Sequence, residues 1–285
     1  MIRIFAILAG LFFSLALAWS LLWGAIAVGP VLAENGQFVE RTVKHEFHKN
    51  PKELHLASDG AFGRYDKQQL QRGFQVYKEV CSACHSLRLV AFRDLAALGY
   101  NADEVKAIAA GFQVPGVDPN TGEANLRPGL STDYFPKPFA NDIAARAANN
   151  NAVPPDLSLM TKARHEGGAY VYSLLTGYQA QPAALLKEFP DAKTPPGLHF
   201  NPYFPNLNLA MAPPLTAEGQ VTYGEGNPKP TVDQMAKDVS AFLVWTAEPK
   251  ADKRKQTGWP VLGFLLFATA LGYMAYRNVW AGKKH

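Results

Sequence analysis

Two long apolar runs lie near the two ends of the chain, and amphipathic patterns fill the part between them. Ile4 to Val28 carries no charge over about 25 residues, and Trp259 to Tyr276 forms a second run of about 18 residues. A helix rises about 1.5 Å per residue, so the second run spans roughly 27 Å, close to the hydrocarbon thickness of a bilayer. The pattern predicts a transmembrane helix near the C-terminus and a targeting or anchoring segment at the N-terminus.

The N-terminal run has features of a signal peptide. Arg3 precedes it, Gly29-Pro30 is expected to break its helix, and Val31-Leu32-Ala33 resembles a small-residue cleavage site before Glu34. We favour a signal peptide over residues 1–33. A retained membrane helix is the alternative, and the length of the run supports it. Either way, the segment directs the chain from Glu34 onward across a membrane.

The middle of the chain reads as mainly helical. Asp66 can cap a helix to Val80 that carries an apolar stripe, and Thr231 with Gln234 forms a capping-box pattern at the start of a helix to Trp245. Gly73 in the first of these helices suggests a close approach by another helix. Further helical patterns cover residues 101–111, 142–151, 154–165 and 170–175, and proline-rich loops cover most of 113–140 and 187–205.

The charges exclude one class of partner. The net charge of +4 comes from both ends of the chain, because residues 34–255 carry 24 Lys and Arg against 24 Asp and Glu. A nucleic-acid-binding domain needs a basic face, so nucleic acid is not expected as a partner. Residues 94–142 hold seven acidic side chains against three basic ones. This stretch is either an ordinary solvated surface or a negative patch that steers a basic partner.

The chemistry centres on Cys81-Ser82-Ala83-Cys84-His85, which contains the only cysteines of the chain. The Cys-x-x-Cys-His spacing is typical of c-type haem attachment. Two thiols one helical turn apart can form thioethers with the haem vinyl groups, and the adjacent histidine can then ligate the iron. A thioredoxin-like thiol pair usually opens a helix in a βαβ pattern, and a zinc site needs further ligands. Haem c is therefore the predicted cofactor.

A haem iron with one histidine ligand needs a sixth ligand, and methionine is the usual choice for electron transfer. Met160 and Met235 lie on predicted helices and are expected in the core. Met211 lies just before Pro213-Pro214 in a segment that cannot be helical. A stiff loop suits a ligand held at a fixed distance, so we predict Met211 as the sixth ligand over another methionine or a second histidine.

Several short motifs accompany the haem-attachment run. They are Arg72-Gly73-Phe74-Gln75-Val76-Tyr77, Asp133-Tyr134-Phe135-Pro136-Lys137-Pro138, Ala147-Ala148-Asn149-Asn150, Pro154-Pro155-Asp156-Leu157-Ser158, Asn201-Pro202-Tyr203-Phe204-Pro205, Met211-Ala212-Pro213-Pro214 and Ala247-Glu248-Pro249. Together they resemble the cytochrome c1 family, the c-type haem subunits of cytochrome bc1 complexes. The resemblance runs from about Arg64 to the C-terminus.

The resemblance implies a mainly α, class I cytochrome c fold with insertions, plus a C-terminal transmembrane helix. It implies a haem domain over residues 34–255, a membrane helix over 256–277 and a tail over 278–285. It also implies that Gly73 and Tyr77 lie where the helix before the haem crosses the last soluble helix at Phe242 and Trp245. The implied haem contacts are Cys81, Cys84, His85 and Met211, with Arg164 and Tyr170 at the propionates and Pro155 and the Asn149-Asn150 region lining the pocket.

By resemblance, the chain is the electron-transfer subunit of quinol–cytochrome c oxidoreductase and makes no bonds itself. The Rieske iron–sulfur protein would reduce its haem and a soluble cytochrome c would oxidise it, within a dimeric complex that contains cytochrome b and membrane lipid. Haem c is attached outside the cytoplasm, which implies a bacterial inner membrane protein with a periplasmic haem domain and a cytoplasmic tail. A membrane-tethered cytochrome shuttle outside any complex, and a haem peroxidase or sensor, are the alternatives.

Overall fold

The computed structural model describes residues 2–35 and 42–283. Helices dominate this part of the chain, and its strands pair into two small antiparallel sheets, β1 with β2 and β3 with β4. In chain order the elements are α1 (Ile2–Asn35), α2 (Val43–Phe47), α3 (Lys67–Val76), a π-helical turn (Tyr77–Cys81), a 3-10 helix (Phe92–Leu98), α4 (Ala102–Ala110), β1 (Gln113–Val117), β2 (Ala124–Pro128), α5 (Asp142–Ala148), α6 (Gly167–Leu175), α7 (Ala183–Glu188), a second 3-10 helix (Pro190–Ala192), β3 (His199–Phe200), β4 (Asn208–Leu209), α8 (Val232–Ala247) and α9 (Ala251–Trp280).

These elements form two compact units. The first comprises the described residues up to His48 together with Gln181–Lys193, and the second comprises Lys49–Ala180 and Thr194 onward. Within the first unit, the rings of Phe47 and Phe189 meet edge to face with centroids 6.3 Å apart. The second unit contains the predicted haem site and most of the buried apolar side chains.

The packing of α3 against α8 forms the centre of the second unit. A Cβ atom added at Gly73 would lie 2.0 Å from the carbonyl oxygen of Asp238 and 2.7 Å from Cβ of Phe242, so only glycine permits this approach. Next to this contact, the rings of Tyr77 and Phe242 lie 5.8 Å apart, and those of Phe242 and Trp245 lie 5.7 Å apart. The predicted crossing of these two helices is confirmed.

A buried ion pair joins the same two helices. Nε of Arg72 donates to Oδ2 of Asp238 at 2.9 Å, and a second guanidinium nitrogen donates to Oδ1 at 3.1 Å. The Asp238 side chain is fully buried, and Gln234 also donates to it. A buried carboxylate is tolerated only when it is paired and hydrogen-bonded in this way.

The predicted caps of both helices are present. Asp66 accepts hydrogen bonds from the backbone N–H groups of Gln68 and Gln69, and Thr231 accepts one from Gln234. The reciprocal half of the Thr231 capping box is absent among the described contacts, because the Gln234 side chain donates to Asp238 instead. Met235 is fully buried, and Met160 packs against the core as a half-buried side chain, as predicted.

Four segments differ from the prediction. Residues 187–205, expected to be loop, also contain the second 3-10 helix and strand β3. Residues 154–165 form turns rather than a helix. The N–H of Leu157 bonds to the Ser86 carbonyl instead of one within the segment, and the later N–H groups mostly reach back three residues, although that of Ala163 also bonds to the Leu159 carbonyl four residues back. The stretch after Gln113, expected to be mostly loop, contains the hairpin of β1 and β2. Helix α1 continues past Gly29-Pro30 to Asn35, since the fixed φ angle of proline is compatible with a helix at the loss of one hydrogen bond.

Only three residues separate the end of α8 from the start of α9. The phenol of Tyr65 donates to the carbonyl oxygen of Glu248 at 2.9 Å, and the Tyr65 N–H donates to the carboxylate of Asp252. This junction is therefore held by contacts on both sides. Two helical stretches, Arg3–Gly29 and Ala251–Trp280, are long and apolar enough to cross a membrane.

Candidate haem site

The Cys-x-x-Cys-His run begins in the π-helical turn that follows α3. The N–H of Ser82 reaches the carbonyl of Tyr77 at 2.8 Å, five residues back, and the N–H groups of Cys84 and His85 both bond to the carbonyl of Cys81. The two cysteines are free and half-buried. Such single π turns are frequent at functional sites, and here the turn directs the last helical residues into the attachment motif.

The imidazole of His85 is oriented by a backbone carbonyl. Its Nδ1 lies 2.8 Å from the carbonyl oxygen of Pro155. A carbonyl can only accept, so Nδ1 carries the proton and Nε2 presents its lone pair. Burial also lowers the pKa of His85, although the Pro155 hydrogen bond acts in the opposite direction. A neutral imidazole with a free Nε2 is the form that ligates iron.

The Cys81 thiol is not poised for thiolate chemistry. Burial, with a smaller effect from Cys84, raises its pKa to about 12. Redox-active pairs and zinc sites use thiolates, which require a lowered pKa or a neighbouring cation. A protonated thiol beside a second cysteine is instead compatible with thioether formation.

The backbone around His85 is anchored from two directions. The phenol of Tyr77, only 1% exposed, donates to the His85 carbonyl at 3.0 Å. On the other side, Asp156 accepts hydrogen bonds from the Ser86 hydroxyl at 2.7 Å and from the Arg88 N–H at 2.8 Å. Burial opposes ionisation of this carboxyl group, but these bonds hold the pKa of Asp156 below its ordinary value. The Asp156 contacts fix Pro155 next to the histidine.

Met211 lies in a loop that is fixed through its backbone. Its carbonyl accepts a hydrogen bond from the phenol of Tyr178 at 3.1 Å, and its side chain is half-buried. Burial raises the pKa of Tyr178, so this phenol remains a donor. Three residues on, the Pro214 carbonyl accepts a hydrogen bond from the Gln220 side chain at 2.8 Å. The loop has the rigidity expected of a ligand-bearing segment.

Arg164 and Tyr170, which the resemblance assigns to the haem propionates, lie close together. The guanidinium carbon of Arg164 lies 5.9 Å from the centre of the Tyr170 ring, and one of its nitrogens donates to the Ala163 carbonyl at 3.0 Å. Tyr170 is buried, whereas Arg164 is exposed. Tyr170 also lies near enough to Tyr178 to influence its pKa. Arg164 thus contacts Tyr170 and Tyr178 contacts Met211, while the two tyrosines interact electrostatically.

The residues present fit haem c. Two thiols, a neutral imidazole with its Nε2 available and a thioether on an anchored loop are the donor set that this cofactor requires. Sequence reasoning assigned no role to Asp156 or Tyr178. Asp156 could have been noticed from Asp156-Leu157-Ser158, because an aspartate commonly accepts the N–H two residues on, as it does here at 3.0 Å.

These features, together with a C-terminal helix long enough to cross a membrane, define a membrane-anchored c-type cytochrome. Comparison with known proteins narrows the class. The family model described as "Cytochrome C1 family" matches residues 56–283. The chain is 43% identical over 274 residues to "Cytochrome c1" of Rhodospirillum rubrum, covering 91% of this chain and 97% of that relative. The chain belongs to the cytochrome c1 family, and its cofactor is haem c.

Two further relatives extend the comparison. "Cytochrome c1, heme protein, mitochondrial" of Neurospora crassa is 48% identical over 220 residues, which is 77% of this chain and 64% of that protein. "Cytochrome b/c1" of Bradyrhizobium diazoefficiens is 44% identical over 237 residues, 78% of this chain but only 34% of that protein. The name of the second relative joins cytochrome b and cytochrome c1.

Proposed function

We propose that this chain is the electron-transfer subunit of a cytochrome bc1 complex. It would accept electrons from a Rieske iron–sulfur protein and pass them to a soluble c-type cytochrome, beside cytochrome b in a dimeric complex. The single observation that carries the proposal is the His85 contact with Pro155, which prepares a neutral axial ligand directly after two free cysteines. Family membership and the name of the fused b/c1 relative support the assignment to a complex.

In this proposal each residue has a separate task. Cys81 and Cys84 would attach the cofactor through thioether bonds, and His85 and Met211 would ligate its iron. Haem c, when bound, supplies an iron that alternates between Fe(II) and Fe(III). Arg164 can pair with a propionate carboxylate, next to Tyr170. Because Pro155 and Tyr178 hold the two axial ligands in place, little reorganisation is needed on electron transfer.

The junction between α8 and α9 favours a complex subunit over a tethered shuttle. A shuttle requires a flexible linker between its haem domain and its anchor. Here three residues separate the two helices, and Tyr65 contacts both Glu248 and Asp252 across the junction. Such a short, fixed junction limits how far the haem domain can move from its membrane helix, so redox partners must diffuse to it.

We also propose a topology. Residues 1–33 are a signal peptide, with a retained N-terminal helix as the alternative. Residues 34–255 form a periplasmic haem domain, 256–277 cross the bacterial inner membrane and 278–285 face the cytoplasm. The apolar character of α9 supports the anchor, and attachment of haem c outside the cytoplasm supports the orientation.

Replacing the proposed sixth ligand tests the assignment. In Met211→Leu, we expect the covalent haem to remain, because the cysteines are intact. The midpoint potential should fall, since a thioether ligand raises it. The reduced protein should also gain carbon monoxide binding. Redox-titrated visible spectra of the purified membrane complex measure all three properties.

Met160→Leu is the matched control, because Met160 packs against the core and is not a proposed ligand. It should retain the wild-type spectrum and midpoint. An unchanged low-spin spectrum and midpoint in Met211→Leu would refute this ligation. Ready carbon monoxide binding by the wild-type protein would favour a peroxidase or sensor, and purification without b-type haem and an iron–sulfur protein would favour the shuttle.

A further inference from the structure

A cleft of about 570 Å³ lies beside the junction of α8 and α9, within the second unit. The loop around Ser58 to Ala61 forms one wall, and the end of α8 with the first turns of α9 forms the other. Along α9 the lining changes from the charged Arg254 and Lys255 to Trp259 and Leu262. Two carboxylates also line the cleft: Glu248 pairs with Arg254, and Asp59 accepts the N–H of Leu56, so Lys255 is the cation of the cleft without a carboxylate partner among the described residues. Arg254 and Leu262 are separated by roughly 12 Å along the helix axis. The cleft is therefore polar at one end and apolar at the other.

The polar end carries a cation that no carboxylate neutralises. Nζ of Lys255 donates to the carbonyl oxygens of Ser58 at 2.6 Å and Gly63 at 3.2 Å. An ammonium has three donors, so one remains for a ligand. In the described part of the chain no carboxylate lies within ion-pair distance of this nitrogen, whereas Arg254 pairs with Glu248. A partly buried positive charge held only by carbonyl groups favours an anionic ligand.

The apolar end has the character of a membrane interface. The rings of Phe62 and Trp259 stack with centroids 4.9 Å apart and planes 3° apart, and Phe62 is 80% exposed. Stacked aromatic rings at the start of a membrane helix are typical of the headgroup level. A Cβ at Gly258 would meet nothing within 4 Å, so the groove along α9 is open at this point.

We propose that this cleft binds one phospholipid. Its phosphate contacts Lys255 and Arg254, and an acyl chain lies along Gly258 and Leu262 next to the stacked rings. A free phosphate would use only the charged end and leave the apolar end uncovered, so the polarity of the whole cleft favours a lipid. The inference rests on the proposed role of α9 as the membrane anchor.

Filling the groove tests the proposal. The Gly258→Leu side chain has room on the backbone and improves helix propensity, but it occupies the path of the acyl chain. Native mass spectrometry of the detergent-purified complex should show one tightly held phospholipid fewer per chain than in the wild type. Gly263→Leu is the matched control, since Gly263 also has open space on α9 but does not line the cleft.

A second pair of variants tests the charged end. Arg254→Gln should weaken retention of the same lipid, whereas Lys253→Gln, a neighbour outside the lining, should not. Equal lipid counts in wild type, Gly258→Leu and Arg254→Gln would overturn the proposal. So would a photo-crosslinker at Phe62 that captures a polypeptide instead of lipid. Covalent haem content and midpoint should not change in these variants, so the lipid site can fail while the electron-transfer assignment stands.

Discussion

At the scale of single residues, the candidate site depends on contacts that hold the backbone and the ring of His85 in place. Tyr77 holds the His85 carbonyl, and Pro155 fixes the His85 ring. Pro155 is fixed in turn by Asp156, which accepts the N–H groups of Arg88 and Ser158 and the Ser86 hydroxyl. The contacts of Pro155 and Asp156 with residues 85–88 join chain segments about seventy residues apart, so the orientation of the histidine is a tertiary property.

Removing the Asp156 carboxylate should test this arrangement. We expect Asp156→Ala to lower the free energy of unfolding by about 1–3 kcal/mol, because it leaves partly buried donors without an acceptor. Asp156→Asn keeps one acceptor oxygen and should lie between Ala and wild type. Chemical denaturation of the detergent-solubilised protein gives these values. Glu123→Ala, at an exposed position, is the control, and an equal loss in the two alanine variants would contradict the role of Asp156.

The residue scale also shows what the sequence could reveal. The spacing of Cys81, Cys84 and His85 is enough to predict haem attachment. Met211 could be predicted as a ligand because the prolines that follow it exclude a helix. The links from Asp156 to Ser86 and from Tyr178 to Met211 could not be read, since a hydrogen bond between distant segments leaves no local pattern. Only the local Asp156–Ser158 turn was accessible in advance.

At the scale of elements, α3 and α8 are fixed by one close crossing. The carbonyl of Asp238 in α8 occupies the space that a side chain at position 73 would need. Arg72, next to Gly73 on α3, pairs with the buried Asp238 carboxylate of α8. A close backbone contact and an ion pair therefore act at adjacent positions of α3. The haem-attachment motif follows directly from α3, and this crossing therefore sets its position.

Gly73→Ala should be strongly destabilising. In an isolated helix, alanine would be favoured over glycine by about 1 kcal/mol. Here the added Cβ would lie 2.0 Å from a backbone oxygen, so we expect a net loss of about 1–3 kcal/mol or more in the free energy of unfolding. Gly224→Ala, whose Cβ would meet its nearest neighbour only at 3.9 Å, should be nearly neutral under the same denaturation assay. A neutral Gly73→Ala would contradict the crossing.

The elements predicted well are those whose own sequence determines them. Helices α3 and α8 have a cap and an apolar stripe, and both formed as expected. Residues 154–165 had a plausible helical pattern, but the N–H of Leu157 bonds to the Ser86 carbonyl instead. The hairpin of β1 and β2 was not predicted, because Pro115 and Pro128 argue against strands in the sequence. An exposed two-stranded ribbon tolerates proline, since both of its strands are edge strands.

At the scale of the whole molecule, the short junction between the haem domain and α9 limits how far the haem can travel. Electron transfer to a soluble partner would then depend on the surface that the chain presents. Among the acids of residues 94–142, Asp133 is paired with Arg127, and Asp94 and Glu104 accept local N–H groups. Asp103, Glu123 and Asp142 are exposed. The ion pair and the hydrogen bonds leave the net charge of the stretch unchanged, and its exposed carboxylates are accessible to a basic partner.

If these carboxylates steer a basic soluble cytochrome, the rate of its reduction should fall with added salt. Steering raises association rates by about 10–10³-fold, and the Debye length shrinks from about 10 Å at 0.1 M to 3 Å at 1 M. We therefore expect at least about a tenfold slower second-order rate at high salt. Stopped-flow reduction of the soluble protein by the purified complex measures it, with an uncharged small-molecule oxidant as the reference reaction.

Paired variants separate a local patch from the total charge of the molecule. Glu123→Gln with Asp142→Asn should lower the low-salt rate and flatten its salt dependence. Glu218→Gln with Glu225→Gln removes two exposed charges outside the stretch and should change little. Equal effects from both pairs would mean that net charge alone acts. A rate that does not respond to salt in the wild type would leave the acidic stretch as ordinary solvated surface, and docking would then have to depend on apolar contacts near the haem edge.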